Sequence, residues 1–210
     1  MTTPDAFPIL SRTGALRNGA RPLRLVAFGS STTEGYGASS PDHSYPAVMR
    51  RHLLPFFPGG IVLTNLGISG ESAIEMDARI ADVVAAEPDL IVWQTGSNDV
   101  SRPVPLERFA HLTRSGIARL QRTGADLVLV DQQYARALEE APAFPGYLAM
   151  LHRIGAEAGV PVFDRHARMR QWCAENRFTR DTLSPDGTHM ADPGYALLGE
   201  TLGDWLLARS

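Results

Sequence analysis

"LVAFGSSTTEGYG", residues 25–37, passes from an apolar run directly into glycines and hydroxyls. Leu25 to Phe28 are followed by Gly29, the adjacent Ser30 and Ser31, two threonines, and further glycines at 35 and 37. A buried strand that ends this way suits a loop cradling phosphate, a catalytic serine on a tight turn, or an ordinary solvated loop. The rest of the chain has to separate these readings.

The same apolar pattern recurs. "GIVLTNL" (60–66), "DLIVWQT" (89–95), "ADLVLVD" (125–131) and "VPVFD" (160–164) join "LRLVAF" (23–28) as short runs rich in Val, Ile and Leu. Being apolar on both faces, they suit strands of a parallel sheet covered on both sides. Helical patterns lie between them, at about 44–54, 73–86, 105–123, 145–158, 166–176 and 193–208, and several stop at Pro or Gly. Strand–helix alternation predicts a doubly wound α/β/α sandwich with a central parallel, flavodoxin-like five-stranded sheet. No repeat or composition shift marks a second domain, so one domain is expected over 21–210, with 1–20 as an irregular N-terminal arm.

Composition excludes several classes. A chain of 210 residues, 44% hydrophobic and 20% charged, can bury one sizeable core. A net charge of −3 is too small to argue for nucleic acid or a membrane surface. No apolar run approaches the roughly 18 residues that would span a bilayer. The start "MTTPDAFPILSRTG" lacks the basic and apolar regions of a secretory signal, so the expected location is cytoplasmic. The single cysteine, Cys173, reads as a helix residue. All 20 basic residues are arginines, which removes both Schiff-base chemistry and the P-loop lysine.

In a doubly wound sheet, ligands bind beyond the carboxyl ends of the strands. The segments there are "GSSTTEG", "GISGES", "GSNDVSR" and "QQYAR". "GSSTTEG" has neither G-x-G-x-x-G nor the G-x-S-x-G elbow, although a hydroxyl-rich phosphate loop stays open. A hydroxyl nucleophile needs a general base, and the base needs an orienting acceptor. His52, His111 and His152 fall within helical patterns, and His43 sits in the loop after the first strand. His166 follows Asp164 at the last strand, and His189 lies three residues after Asp186 in the polar loop "LSPDGTHMADPGY". An Asp and a His in that spacing also occur where they merely cap the next helix.

Together these blocks resemble the SGNH (GDSL-type) hydrolase family, over residues 23–207. "GSSTTEG" is similar to the family's G-D-S block, "NLGISG" to its N-x-x-[IV]-S-G block and "GSND" to its G-x-N-D block. Asp186 and His189, followed by Gly194-Tyr195, match its D-x-x-H block. The resemblance implies Ser31 as nucleophile, His189 as base and Asp186 as its orienting acid. It implies an oxyanion hole formed by the Ser31 and Gly70 backbone N–H groups and the Asn98 side chain. It further implies a serine ester hydrolase acting on a small acyl ester, an acetylated carbohydrate among the candidates, with no cofactor and no metal. Thioesterase or lysophospholipase activity, or a silent binding module, are the alternatives. One position departs from the motif: Ser30 stands where the family has Asp. Asp99 is expected to cap the segment that follows it. Arg102, Gln133 and Tyr134 are expected in the pocket walls, and the five arginines of 164–180 on a solvated helix face.

Overall fold

The computed structural model describes residues 9–102, 104–175 and 178–210. Five strands, β1 (Leu23–Gly29), β2 (Ile61–Gly67), β3 (Leu90–Gln94), β4 (Asp126–Val130) and β5 (Val162–Phe163), form one sheet. The helices in chain order are α1 (Ser11–Leu16), α2 (Ser31–Glu34), α3 (Tyr45–Leu53), α4 (Ala73–Ala78), α5 (Ile80–Ala85) and α6 (Ser97–Ser101). Then come α7 (Leu106–Gln121), α8 (Arg136–Glu139), α9 (Phe144–Ala158), α10 (Arg165–Ala174), α11 (Arg180–Leu183) and α12 (Asp192–Leu207). All strand pairs are parallel and the order is β2-β1-β3-β4-β5, which is the flavodoxin-like order expected from the strand–helix alternation.

The sheet divides the core in two because successive side chains point to opposite faces. Leu23 and Leu25, Leu90 and Val92, and Val128 and Val130 face a layer of α3, α10 and α12, against Tyr45, Met49, Met169, Tyr195, Leu198 and Leu202. Val26 and Phe28, Ile91 and Trp93, and Leu127 and Leu129 face α4, α5, α7 and α9, against Met76, Ile80, Phe109, Ile117, Leu151 and Ile154. Each fully buried side chain of this kind contributes roughly 1.5–3 kcal/mol relative to exposure. The run at 60–66 departs from the expectation of two covered faces. β2 is an edge strand, and Val62 is 53% exposed.

Two segments differ from their sequence reading. The arm expected to be irregular over 1–20 contains α1, which Asp126 anchors by accepting from the Thr13 N–H (2.7 Å) while the Arg12 guanidinium pairs with Asp89 (2.8 Å). Residues 1–8 of that arm lie outside the described residues. The single helix expected over 73–86 is broken at Arg79, whose backbone leaves helical geometry (φ −117°, ψ 21°). Its guanidinium grips Glu71 (2.7 Å) and the Leu66 carbonyl (2.8 Å) and lies 4.9 Å from the centre of the Phe28 ring. That grip fastens the loop after β2 to the end of β1.

Gly96, just past β3, makes the turn into α6 possible. Its φ is +94°, and a Cβ there would come within 2.0 Å of the Gln132 side-chain nitrogen. Gly96→Ala is therefore expected to cost about 1–3 kcal/mol through backbone strain and overpacking. Urea unfolding of the two proteins measures it, and equal midpoints would contradict this account.

Candidate active site

Ser31 opens α2 directly after β1, and its turn is anchored from below by Gln94 at the end of β3. The Gln94 side-chain oxygen accepts from the Ser30 N–H (3.1 Å), the Ser30 hydroxyl (3.1 Å) and the Thr33 hydroxyl (3.3 Å). All these groups are buried, so each bond replaces one that water would otherwise have made. Asn65 on β2 holds the far side, donating to the Thr33 carbonyl (2.8 Å) and accepting from the Gly67 N–H (2.9 Å).

The loop before α12 brings His189 onto this serine. His189 Nε2 lies 3.0 Å from Ser31 Oγ, and His189 Nδ1 lies 2.7 Å from Asp186 Oδ2. A carboxylate only accepts, so Nδ1 carries the proton and the Nε2 lone pair faces the serine hydroxyl. Asp186 Oδ1 accepts from the backbone N–H groups of Thr188 (2.8 Å) and His189 (2.6 Å). Burial opposes ionisation of Asp186, but these bonds outweigh it and hold the carboxyl below its ordinary value. The Tyr36 ring packs on the imidazole, centroid to centroid 4.4 Å, and Tyr36 is 56% exposed.

The remaining histidines of the described residues have other partners where contacts are present. His166, the nearest rival in the sequence, is bound to Glu139 (2.8 Å). His43 pairs with Asp192 (2.9 Å) and His52 with Asp204 (2.6 Å). His152 pairs with Asp131 (2.8 Å). None of these reaches Ser31.

Asn98, on α6, reaches the loop after β2 that contains Gly70. The Asn98 side chain donates one of its two N–H groups to the Glu71 carbonyl (2.8 Å). The same loop is tied to β1 by the Ile68 N–H on the Gly29 carbonyl (3.1 Å). Gly70 has φ +80°, and a Cβ there would lie 3.3 Å from the Arg102 guanidinium. Arg102 lies beside Gly70 and pairs with Glu75 (3.1 Å).

Several expectations need correction. Asp99 does cap a helix, but not the one that follows it: its carboxylate accepts from Ala73 N–H at the start of α4 (3.0 and 3.2 Å). It is buried, and desolvation pushes its carboxyl up to about 6 despite that bond. Gln133 is no pocket wall. It is buried, and its side-chain oxygen accepts from Ser97 (2.7 Å) and Arg165 (2.6 Å). Tyr134 packs against the core and edge-on to His166. Of the arginine-rich stretch, Arg168 and Arg170 are exposed on α10, as expected of a solvated face, but Arg165 is wholly buried, because the Asp131 carbonyl (2.9 Å) and Gln133 receive it. Burial draws its guanidinium down to about 10. Arg177 lies outside the described residues. Cys173 does sit on α10.

No metal was suggested by spacing along the chain. The fold nevertheless gathers Asp131, His152 and Asp164, with one ligand-capable atom each within 4.8 Å of the others. They come from β4's end, α9 and β5's end, so sequence spacing gives no sign of them. Gln94, Asn65, Gln133 and Arg165 were likewise not singled out as site supports. Asn65 does open the "NLGISG" block and Gln94 lies just before "GSND", but Gln133 and Arg165 fall in none of the blocks.

The Asp99 carboxyl makes a pH prediction. Its folded value of about 6 lies above the ordinary 3.8, so the folded protein keeps a proton that the unfolded chain has lost between those values. Stability from this group therefore falls as pH rises from about 4 to about 6 and is level above. Asp99→Asn removes that slope, so relative to wild type it should gain stability between about pH 4.5 and 7.5 in urea titrations. Parallel curves at the two pH values would refute it.

Known proteins resemble this chain in sequence and in fold. A GDSL-like esterase, Rv1075c, of Mycobacterium tuberculosis (strain ATCC 25618 / H37Rv) is 26% identical over 194 residues, covering 86% of this chain and 60% of that protein. The fold matches a two-domain esterase (CEX) active on acetylated mannans with TM-score 0.81 at 22% identity, over 95% of this chain and 52% of that one. It also matches Axe2, an acetylxylan esterase from Geobacillus stearothermophilus, with TM-score 0.76 at 22% identity, over 89% of this chain and 95% of that one. The chain thus spans 60% of the curated relative and about half of the two-domain esterase. The kinship with GDSL-type esterases expected from the four sequence blocks is borne out. The model of one family runs across residues 2–207, and on that match this chain belongs to the Non-GDSL lipase-like family.

Proposed function

We propose that the protein is a serine ester hydrolase that removes small acyl groups, acetyl in the first instance, from a carbohydrate. The observation that carries the reading is the unbroken hydrogen-bonded series Ser31–His189–Asp186, at 3.0 and 2.7 Å. In this reading the Ser31 hydroxyl adds to the acyl carbonyl as His189 Nε2 takes its proton, and Asp186 stabilises the imidazolium. The Ser31 and Gly70 N–H groups and the second Asn98 N–H receive the oxyanion. His189 then returns the proton to the departing alcohol oxygen, leaving an acyl-serine. Water, deprotonated by the same imidazole, releases the acid and restores Ser31.

Acetylated sugars stand first because the similar structures are described as esterases active on acetylated mannans and as acetylxylan esterases. The exposed Tyr36 ring beside His189 offers an apolar face of the kind on which a sugar ring can lie. Among the described residues no helix is long and apolar enough to cross a membrane. The test is hydrolysis of p-nitrophenyl esters of increasing chain length beside acetylated xylo- and manno-oligosaccharides and acyl-CoA, with fluorophosphonate labelling of Ser31. Acetyl esters should be cleaved best. Preference for a long-chain ester or acyl-CoA would move the substrate class, and absence of both labelling and turnover would remove the enzyme reading.

A further inference from the structure

Ser31 and His189 are 158 positions apart and are carried by different loops, so something other than the chain must set their separation. A buried series of side chains runs between those loops. Gln94, which holds the Ser30–Ser31 turn, points its amide nitrogen at the Ser97 hydroxyl in a long contact of 3.5 Å. Ser97 donates onward to Gln133 (2.7 Å), and the Gln133 nitrogen donates to the Thr188 carbonyl (3.3 Å), one residue before His189.

The orientation of the Gln133 amide is dictated by its neighbours. Arg165 can only donate, and its guanidinium is 2.6 Å from one end of the amide, so that end is the oxygen. The nitrogen must then face Thr188. Arg165 is itself wholly buried and fixed through its Nε on the Asp131 carbonyl (2.9 Å), so this end of the series rests on the sheet rather than on a mobile surface group.

We propose that Gln133 is a positioning residue, setting the reach of His189 to Ser31 by holding the Thr188 carbonyl while the Ser97–Gln94 pair holds the nucleophile's turn. The inference rests on the esterase reading for its kinetic consequences, but its geometric consequence stands separately. Gln133→Glu discriminates well. The new carboxylate keeps the volume and still accepts from Ser97 and Arg165, but it sets an oxygen against the Thr188 carbonyl, where no hydrogen bond can form. The carbonyl must turn away, and His189 turns with it.

The experiment compares wild type and Gln133→Glu in steady-state hydrolysis of p-nitrophenyl acetate, in thermal melting and in crystal structures. We expect kcat about tenfold lower, KM unchanged within about threefold and an Nε2–Oγ separation beyond hydrogen-bonding reach, since small misplacements of reacting groups are costly. A purely structural glutamine would shift the melting temperature and leave kcat alone. A loss in kcat under about threefold, or a separation still near 3.0 Å, overturns the proposal. If Gln133→Glu does not fold, Gln133→Met, which keeps the side-chain length but removes the donor to the Thr188 carbonyl, is judged by the same two limits. If wild type cleaves no ester, the esterase reading fails and the separation alone decides the positioning role.

Discussion

Ser31→Ala is expected to lower kcat by on the order of 10⁶-fold and to abolish fluorophosphonate labelling, because it removes the atom that forms the covalent intermediate. What remains should be the modest rate that binding and oxyanion donors supply without a nucleophile. The neighbouring serine is the control. Ser30→Ala deletes one neutral hydrogen bond, Oγ to Gln94, and keeps the backbone N–H that binds the same oxygen. A bond of that kind contributes about 0.5–1.5 kcal/mol, so the variant should lose roughly 2- to 12-fold and still label. Two adjacent hydroxyls thus differ by several orders of magnitude in consequence, because only one faces His189 Nε2. If Ser30→Ala were the dead protein and Ser31→Ala the active one, the nucleophile would be misassigned by one residue.

Asn98→Ala is expected to lower kcat about 10²–10³-fold, roughly 2.7–4 kcal/mol of transition-state stabilisation, with KM held within a few-fold. The asymmetry follows from where charge develops. An amide N–H aimed at the carbonyl oxygen gains most when that oxygen becomes an oxyanion, so its loss is felt in turnover before binding. Asn98 also donates to the Glu71 carbonyl, and that second bond makes a small stability loss of about 1 kcal/mol part of the expectation. Steady-state kinetics with p-nitrophenyl acetate and one urea titration measure both. A sharp rise in KM at constant kcat would instead make Asn98 a contact to the ground-state substrate.

The alternation of buried apolar runs with amphipathic segments is a local property, and it was enough to predict the sheet and the longer helices with their sequence limits to within a few residues, though not the short helices α1, α2, α6, α8 and α11. The exceptions are instructive. β2 has an apolar composition like its neighbours', yet Val62 is exposed, because a strand at the edge of the sheet is not covered on both faces however apolar its own sequence. The helix break at Arg79 arises from a grip on Glu71 and the Leu66 carbonyl, a tertiary contact that overrides helix propensity.

The candidate site divides along the same line. Ser31, Gly70, Asn98, Asp186 and His189 were singled out by the resemblance of four short blocks, at strand ends and before the last helix, to those of the SGNH family. Their support was not. Gln94 read as an ordinary polar residue, Gln133 as a pocket wall and Arg165 as one of five arginines on a solvated stretch, until the fold buried all three and gave each a partner from a distant segment. Sequence by itself determined the backbone pattern, since hydrophobic periodicity and turn residues act over a few positions, and its motif blocks named the candidate reactive side chains. Only the tertiary structure decided which buried polar groups pair, because in a core without water each donor must find an acceptor wherever the chain brings one.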